Sequence, residues 1–180
     1  MGRGFEPHPA YNALRSPART AGAPYARVVN AELPTVASIH IAKARRLEMR
    51  PVDSVVAEEG KGLVGDRYHG TKHRHVTVQS AEGLAEASRL LGREVPPEGT
   101  RRNLTLSHGA VPTVPGSTLR IGTVLLEVVR VAAPCKLLDD GLGPGAMDSL
   151  RRGRAGAVCR LLSGGVIAVG DTVEITVAER

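Results

Sequence analysis

Residues 118–131 of this 180-residue chain read Thr-Leu-Arg-Ile-Gly-Thr-Val-Leu-Leu-Glu-Val-Val-Arg-Val, and they indicate which kind of secondary structure builds the core. Aliphatic and β-branched side chains dominate the stretch, as they do in β-strands. Gly122 and Thr123 interrupt it, which predicts either two strands or one bent strand. The core is therefore expected to be β-structure.

Shorter pieces of the same pattern recur along the chain. Alternating or β-branched runs predict further strands at 36–41, 53–57, 76–78, 103–106 and 173–177. One segment has the helical period instead: apolar residues at 84–91 follow Ser80, a good helix N-cap, and the pattern stops at Gly92. Many short strands divided by glycine turns, with one or two short helices, predict a mainly β fold in the form of a closed or nearly closed β-barrel.

The domain organisation follows from length and composition. A chain of 180 residues can bury one substantial core. Residues 1–33 mix Pro, Gly, Ala and Arg with neither period, so we expect an N-terminal extension, partly disordered or wrapped on a domain at 34–180. Neither a membrane-spanning apolar stretch nor the apolar segment of a secretory signal is evident. These features predict a cytoplasmic protein with no membrane partner.

Charge and aromatic content favour one class of partner. The chain has 24 Lys and Arg against 18 Asp and Glu, a formal net charge of +6. An excess of positive charge favours anionic partners such as a phosphorylated cofactor or nucleic acid. Proteins that bind single-stranded nucleic acid stack its bases on aromatic side chains, but this chain has one Phe, three Tyr and no Trp. Nucleic acid is therefore the weaker interpretation.

Cys135 lies in Ala-Ala-Pro-Cys-Lys-Leu-Leu, residues 132–138, just past the β-patterned stretch. A cysteine at the end of a strand is a candidate for a reactive group, and equally for a small buried core residue. Cys159 stands in an apolar alternating stretch, so we interpret it as structural. Neither cysteine belongs to a cluster with zinc spacing, and two cysteines do not make a disulfide framework, which fits a reducing compartment.

A glycine-rich loop at 62–70 and the residues after it concentrate hydrogen-bond donors. Basic side chains crowd this region: Arg67, His69, Lys72, His73, Arg74 and His75. Such a loop can hold an anion, and the alternative is a solvated hairpin in which Asp66 accepts from backbone amides. His73 and His75 alternate and could bind a metal from one strand face, but no third ligand is evident.

Two further basic motifs are candidate binding elements. Arg101 and Asn103 occupy alternate positions just before a predicted strand, where alternate side chains would point to one face. Arginine offers a rigid fork to a phosphate, and asparagine offers a donor and an acceptor to the edge of a heterocycle. Arg154 belongs to the basic, glycine-containing run 151–156, whose alternative interpretation is a surface turn beside a core strand.

In this order and spacing, the pieces resemble the MOSC domain, the module named for the C-terminal part of molybdenum cofactor sulfurase. The resemblance covers about residues 35–180. Its matching elements are the 62–70 loop with its basic cluster, the helix after Ser80, Arg-Arg-Asn-Leu at 101–104, the strands within 119–128, Pro134-Cys135, and the stretch 164–171. It implies a strand-rich, barrel-like fold with a cysteine that carries sulfur or ligates molybdenum.

The resemblance also assigns roles to individual residues. Cys135 maps onto the family's cysteine, as catalytic residue and metal ligand. Arg101 and Asn103 map onto the pair that holds the pterin and its phosphate. Arg67, His69 and Arg154 are assigned to cofactor binding by loop position. Physically this is coherent, because a thiolate is a soft ligand and basic donors around it bind phosphate.

The leading functional hypothesis is a stand-alone protein that binds molybdenum cofactor (molybdopterin) and reduces an N-hydroxylated small molecule. No desulfurase, iron–sulfur or haem module is recognised in this sequence, so a reductase of this kind would need an external redox protein as electron donor. Two alternatives remain open: a sulfur carrier in which Cys135 bears a persulfide received from a sulfur-donor protein, and a non-catalytic basic module that grips an acidic partner. Pyridoxal phosphate is not expected, because no motif singles out a Schiff-base lysine among Lys61, Lys72 and Lys136.

Overall fold

The structure is a computed structural model that describes residues 32–72 and 74–179. The predicted extension at 1–33 falls almost entirely outside these residues and stays a prediction, and His73 also lies outside them. The strands are β1 (Val36–Ile41), β2 (Arg50–Val52), β3 (Ser54–Glu58), β4 (Gly62–Leu63), β5 (Val76–Ser80), β6 (Leu104–Leu106), β7 (Thr118–Ile121), β8 (Val124–Val131), β9 (Ala157–Ser163), β10 (Gly165–Ala168) and β11 (Val173–Thr176). The helices are α1 (Ala81–Leu91), α2 (Leu137–Leu142) and α3 (Ala146–Ser149), with a 3₁₀ turn at Glu98–Thr100.

The described part of the chain is mainly β, as predicted. Eight strands form one sheet in the order β11-β7-β8-β9-β5-β6-β1-β2, and three form a second in the order β10-β3-β4. All pairs are antiparallel except β5 with β6. The stretch 118–131 forms a hairpin of two strands, β7 and β8, that turns at Gly122 and Thr123.

The predicted closure into a barrel is not confirmed. Between β1 and β11 the ladder shrinks to one isolated bridge, Thr35 with Thr172, so neither sheet closes on itself. The reason lies in β1, which pairs with β6 on one side and, from Ile39 onward, with β2 on the other. Only the N-terminal end of β1 is left to reach the segment before β11, where Val36 exchanges backbone hydrogen bonds with Gly170 and Asp171.

Local sequence signals place the elements correctly where they are strong. Helix α1 begins after Ser80, whose Oγ accepts from the N–H of Gly83, and ends at Gly92 in the left-handed conformation. Among the described residues there are three helices rather than one or two, because α2 and α3 form within a glycine-interrupted segment that lacks a helical pattern. None of the described helices is both long and apolar enough to cross a membrane.

Two apolar clusters organise the fold. The larger lies between the sheets and includes Leu119, Ile121, Val124 and Leu126, all without exposed surface. The smaller joins the helices, where side chains from α1, α2 and α3 meet: Leu84, Ala87, Val95, Leu138, Ala146, Leu150 and Ala155. Because Leu138 anchors α2 in the smaller cluster, the segment between β8 and α2, which contains Cys135, is held at both ends.

Candidate functional site

Cys135 lies in the short connection from β8 to α2. Its thiol is exposed, and its carbonyl accepts from the N–H of Leu138 at 2.9 Å, which starts the turn into α2. It lines a cavity of about 680 Å³ together with Tyr68, Thr71 and Leu137. The sequence left open whether this cysteine is buried or reachable, and the structure makes it reachable.

The wall of this cavity is cationic. Seven basic residues line it: Arg45, Arg46, Arg67, Lys72, Arg74, Arg101 and Arg130. No aspartate or glutamate among the described residues lines it. We call this space the Cys135 cavity. Its charge suits an anionic ligand.

Four chain segments far apart in the sequence supply these cations. Arg45 and Arg46 come from the loop after β1, and the loop between β4 and β5 supplies three more. Arg101 follows the 3₁₀ turn, and Arg130 lies near the end of β8. The folding of the sheet, rather than any local motif, therefore assembles the site.

Arg67 is the structural anchor of the cavity wall. Its side chain is only 2% exposed and pairs with Asp66 at 3.3 Å. Its Nη2 donates to the carbonyl of Arg101 at 2.9 Å, and its Nη1 donates to Met49 Sδ. Arg67 therefore joins the β4–β5 loop to the Arg101 turn.

Arg74 lines the cavity and has one buried side-chain donor without a partner among the described residues. This donor is its Nε. Burial lowers its pKa, and the like charges of Arg67 and Arg130 lower it further, against the opposing effect of Tyr68. The guanidinium groups of Arg67 and Arg74 both lie over the Tyr68 ring, 4.7 and 4.1 Å from its centroid. An anionic ligand in the cavity would offset the repulsion among these cations.

Arg101 reaches the cavity from a left-handed backbone conformation, with φ of 63°. Its Nη1 donates to the carbonyl of Leu47 at 2.9 Å. Burial lowers its pKa, and the charge of Arg67 adds to the effect. Because Arg101 is not part of a strand, the alternation that predicted one common face for it and Asn103 does not apply.

Asn103 lies in the interior, 1% exposed, and does not line the Cys135 cavity. Its Nδ2 donates to the carbonyl of His40 and to Asp66 Oδ1, each at 3.1 Å. Its Oδ1 accepts from the backbone N–H and the hydroxyl of Thr77. Since Asp66 in turn holds Arg67, Asn103 supports the cavity wall from behind.

The structure does not bring His69 or Arg154 to the Cys135 cavity. His69 is exposed and its Nε2 lies 3.1 Å from Glu58 Oε2. Arg154 lines a separate cavity of about 300 Å³ beside the start of α1, where its Nη1 pairs with Glu86 at 3.3 Å. Of the six predicted site residues, the structure thus brings together Cys135, Arg67 and Arg101.

Sequence analysis missed several cavity residues. Arg45 and Arg46 form a basic pair in a loop, a signal that could have been used, whereas Arg130 lies within a strand and gave none. The sequence analysis assigned no role to Arg102, which lies between Arg101 and Asn103. It is 6% exposed, and its guanidinium donates to three backbone carbonyls, those of Ala132, Ala133 and Ala155.

A second cavity of about 770 Å³ adjoins the first and shares Arg46, Arg101 and Leu137 with it. Its wall differs in charge, since three carboxylates also line it: Glu48, Glu98 and Asp140. Across the described residues, no group of three or more His, Cys, Asp or Glu side chains could hold a metal ion.

Comparison with known proteins agrees with this fold. The family model of the MOSC domain matches residues 65–174 of this chain. The structure of YuaD from Bacillus subtilis superposes with a TM-score of 0.71 at 18% identity, over 81% of this chain and 97% of that one. The structure of YiiM from Geobacillus stearothermophilus superposes with a TM-score of 0.62 at 19% identity, over 79% of this chain and 75% of that one. The structure of YiiM from Escherichia coli superposes with a TM-score of 0.59 at 18% identity, over 81% of this chain and 71% of that one. No curated protein matches the sequence.

Proposed function

Because the chain belongs to the MOSC domain family, we propose that it binds the molybdenum cofactor in the Cys135 cavity and reduces N-hydroxylated small molecules. One observation carries the proposal: the exposed thiol of Cys135 shares a cavity with seven cationic side chains and no carboxylate among the described residues. A soft ligand for the metal and donors for a phosphate are thus adjacent.

The residues present fit such a cofactor. The guanidinium group of Arg74 and the charges of Arg101 and Lys72 line one wall and suit the phosphate of the cofactor. Molybdenum would enter with its organic ligand and take the soft thiolate of Cys135 as its ligand from the protein. The adjoining cavity is the place for a small-molecule substrate.

When bound, the cofactor supplies a metal centre that passes two electrons to the substrate. With two protons, those electrons convert an N–OH group to N–H and water as the nitrogen–oxygen bond breaks. The electrons come from an external redox protein. Within this chain, Cys135 would hold the metal, Arg74 and Arg101 would orient the phosphate, and Arg67 joins the loop that carries Arg74 to the turn that carries Arg101. A reducing cytoplasm keeps the exposed thiol available.

The test is the molybdenum and pterin content of protein purified from a cofactor-producing host. We expect near-stoichiometric molybdenum in the wild type, a loss of most of it in Cys135→Ala, and a clear reduction in Arg74→Met. Arg89→Met is the matched control, because it removes one exposed cation from α1 away from the cavity. Wild-type protein without molybdenum would refute the proposal.

The exposure of Cys135 also favours a second candidate, a sulfur carrier. In that version the thiolate attacks the outer sulfur of a persulfide on a donor protein, the donor leaves as a thiolate, and the Cys135 persulfide then passes that sulfur to an acceptor thiolate. Mass spectrometry would show the added sulfur on Cys135 and none in Cys135→Ser. If molybdenum and persulfide are both absent, binding of an acidic partner that weakens steeply with salt and survives Cys135→Ala would favour a basic binding module.

A further inference from the structure

Arg102 lies directly behind the segment that carries Cys135. Its Nε donates to the carbonyl of Ala155 at 3.1 Å, and its Nη2 reaches the carbonyls of Ala132 and Ala133 at 3.4 and 3.5 Å. Ala132 and Ala133 are the two residues before Pro134, whose ring restricts the backbone just ahead of the cysteine. Holding these carbonyls therefore fixes the direction in which the chain enters Cys135.

The position is costly for a charged group. Arg102 has no carboxylate partner among the described residues, and its pKa is lowered to about 10, chiefly by burial and then by the charge of Arg74, against the opposing effect of Cys135. A buried charge without a counter-ion is strongly unfavourable. The three carbonyls use N–H donors on both Nε and Nη2 of one guanidinium, whereas a neutral side-chain amide has only two N–H donors.

We propose that Arg102 is a positioning residue for Cys135, which orients the cysteine through the carbonyls of Ala132 and Ala133 and places a fixed positive charge behind its thiolate. The proposal rests on the proposed function only in taking Cys135 as the reacting group. It assigns the middle residue of the Arg-Arg-Asn motif a role distinct from that of Arg101, which lines the cavity, and Asn103, which lies in the interior.

Two measurements on the purified full chain test it without cofactor. The first is the ratio of the rate constants for alkylation of Cys135 by iodoacetate and by iodoacetamide. The two reagents have similar size and differ in charge, so their ratio reports the local electrostatic potential rather than access to the thiol. Cys159 is fully buried and leaves Cys135 as the reacting cysteine. The second is the mobility of a nitroxide spin label on Cys135, read by electron paramagnetic resonance.

The variants separate charge from position. Arg102→Gln removes the charge and should lower the iodoacetate preference about threefold, as expected for one nearby charge in a partly solvated site. Arg102→Lys keeps the charge but loses the fork, so the ratio should stay near the wild-type value. Both variants should make the label more mobile. Arg89→Gln, the surface control, should change neither quantity.

An unchanged alkylation ratio in folded Arg102→Gln would overturn the electrostatic role, and so would an equal fall in Arg102→Lys or Arg89→Gln. Unchanged label mobility in both Arg102 variants would overturn the positioning role. If Arg102→Gln does not fold, Arg102→Lys decides by its label spectrum. Because neither readout needs molybdenum, a wild-type protein without molybdenum would refute the proposed function and leave this test intact.

Discussion

Replacing Asn103 with alanine should lower the free energy of unfolding by about 4 kcal/mol. The side chain makes four hydrogen bonds of 2.8–3.1 Å, to His40, Asp66 and both polar groups of Thr77. At 1% exposure, water does not replace them. A net contribution of about 1 kcal/mol for each bond gives the total, which is a large part of the stability of an ordinary domain.

Urea denaturation followed by circular dichroism measures this loss, since the chain has no tryptophan to report unfolding. Thr77→Val is the matched control. Its hydroxyl donates to Asn103 Oδ1 and accepts from the Asn103 N–H, so its removal should cost about 2 kcal/mol. If Asn103→Ala costs less than about 1 kcal/mol, or no more than Thr77→Val, the assignment of Asn103 to the framework is refuted.

Three further outcomes are expected. Gly156→Ala should lower the free energy of unfolding, measured by thermal denaturation, by more than about 3 kcal/mol, because the new Cβ would collide with the carbonyl oxygen of Val78. The control Gly60→Ala meets open space and should lower it by about 1–2 kcal/mol. Equal losses in the two variants would contradict this prediction. Burial lowers the pKa of His40, so the stability that this neutral side chain contributes above about pH 6.5 is lost as the pH falls below that value. The midpoint of urea denaturation should therefore decrease less on acidification in His40→Gln than in the wild type. Burial raises the pKa of Cys159 from 9.0 to about 12, so the free energy of unfolding should fall by about 1.4 kcal/mol per pH unit between those pH values. An equally steep fall in Cys159→Val would contradict the assignment of this loss to the buried thiol.

The Arg-Arg-Asn motif shows how three adjacent residues divide the work of one site. Arg101 adopts a left-handed conformation and lines the cavity, Arg102 turns beneath the cysteine segment, and Asn103 begins the approach to β6 in the interior. A ligand therefore meets one member of the motif directly. The other two act on the geometry of Cys135 and Arg67, so their substitution should affect binding through structure.

The cations around the Cys135 cavity repel one another, and this repulsion lowers the stability of the folded protein. Arg74, Arg101 and Arg102 have lowered pKa values, chiefly from burial, and Arg67 or Arg74 adds repulsion in each case. Bringing such cations together costs free energy in the folded state. An anion that binds among them recovers part of that cost, and ligand binding should therefore raise the unfolding temperature.

The sequence by itself determined the local elements with strong periodicity. The β-structure at 118–131, the strand at 36–41 and helix α1 with its Ser80 and Gly92 caps follow from side-chain patterns that act within a few residues. The order of motifs also sufficed to identify the family. The short elements β2 and β4 escaped prediction because two or three residues are too few to show a period.

The tertiary structure alone decided which residues share the site. Arg45 and Arg46 join Cys135 because sheet pairing brings their distant segments together, and no local pattern encodes that meeting. Asn103 carries the same side chain whether it faces a ligand or the interior, and only its surroundings assign it to the framework. Closure of the sheet depended likewise on long-range pairing, since β2 occupies the side of β1 that a barrel would need.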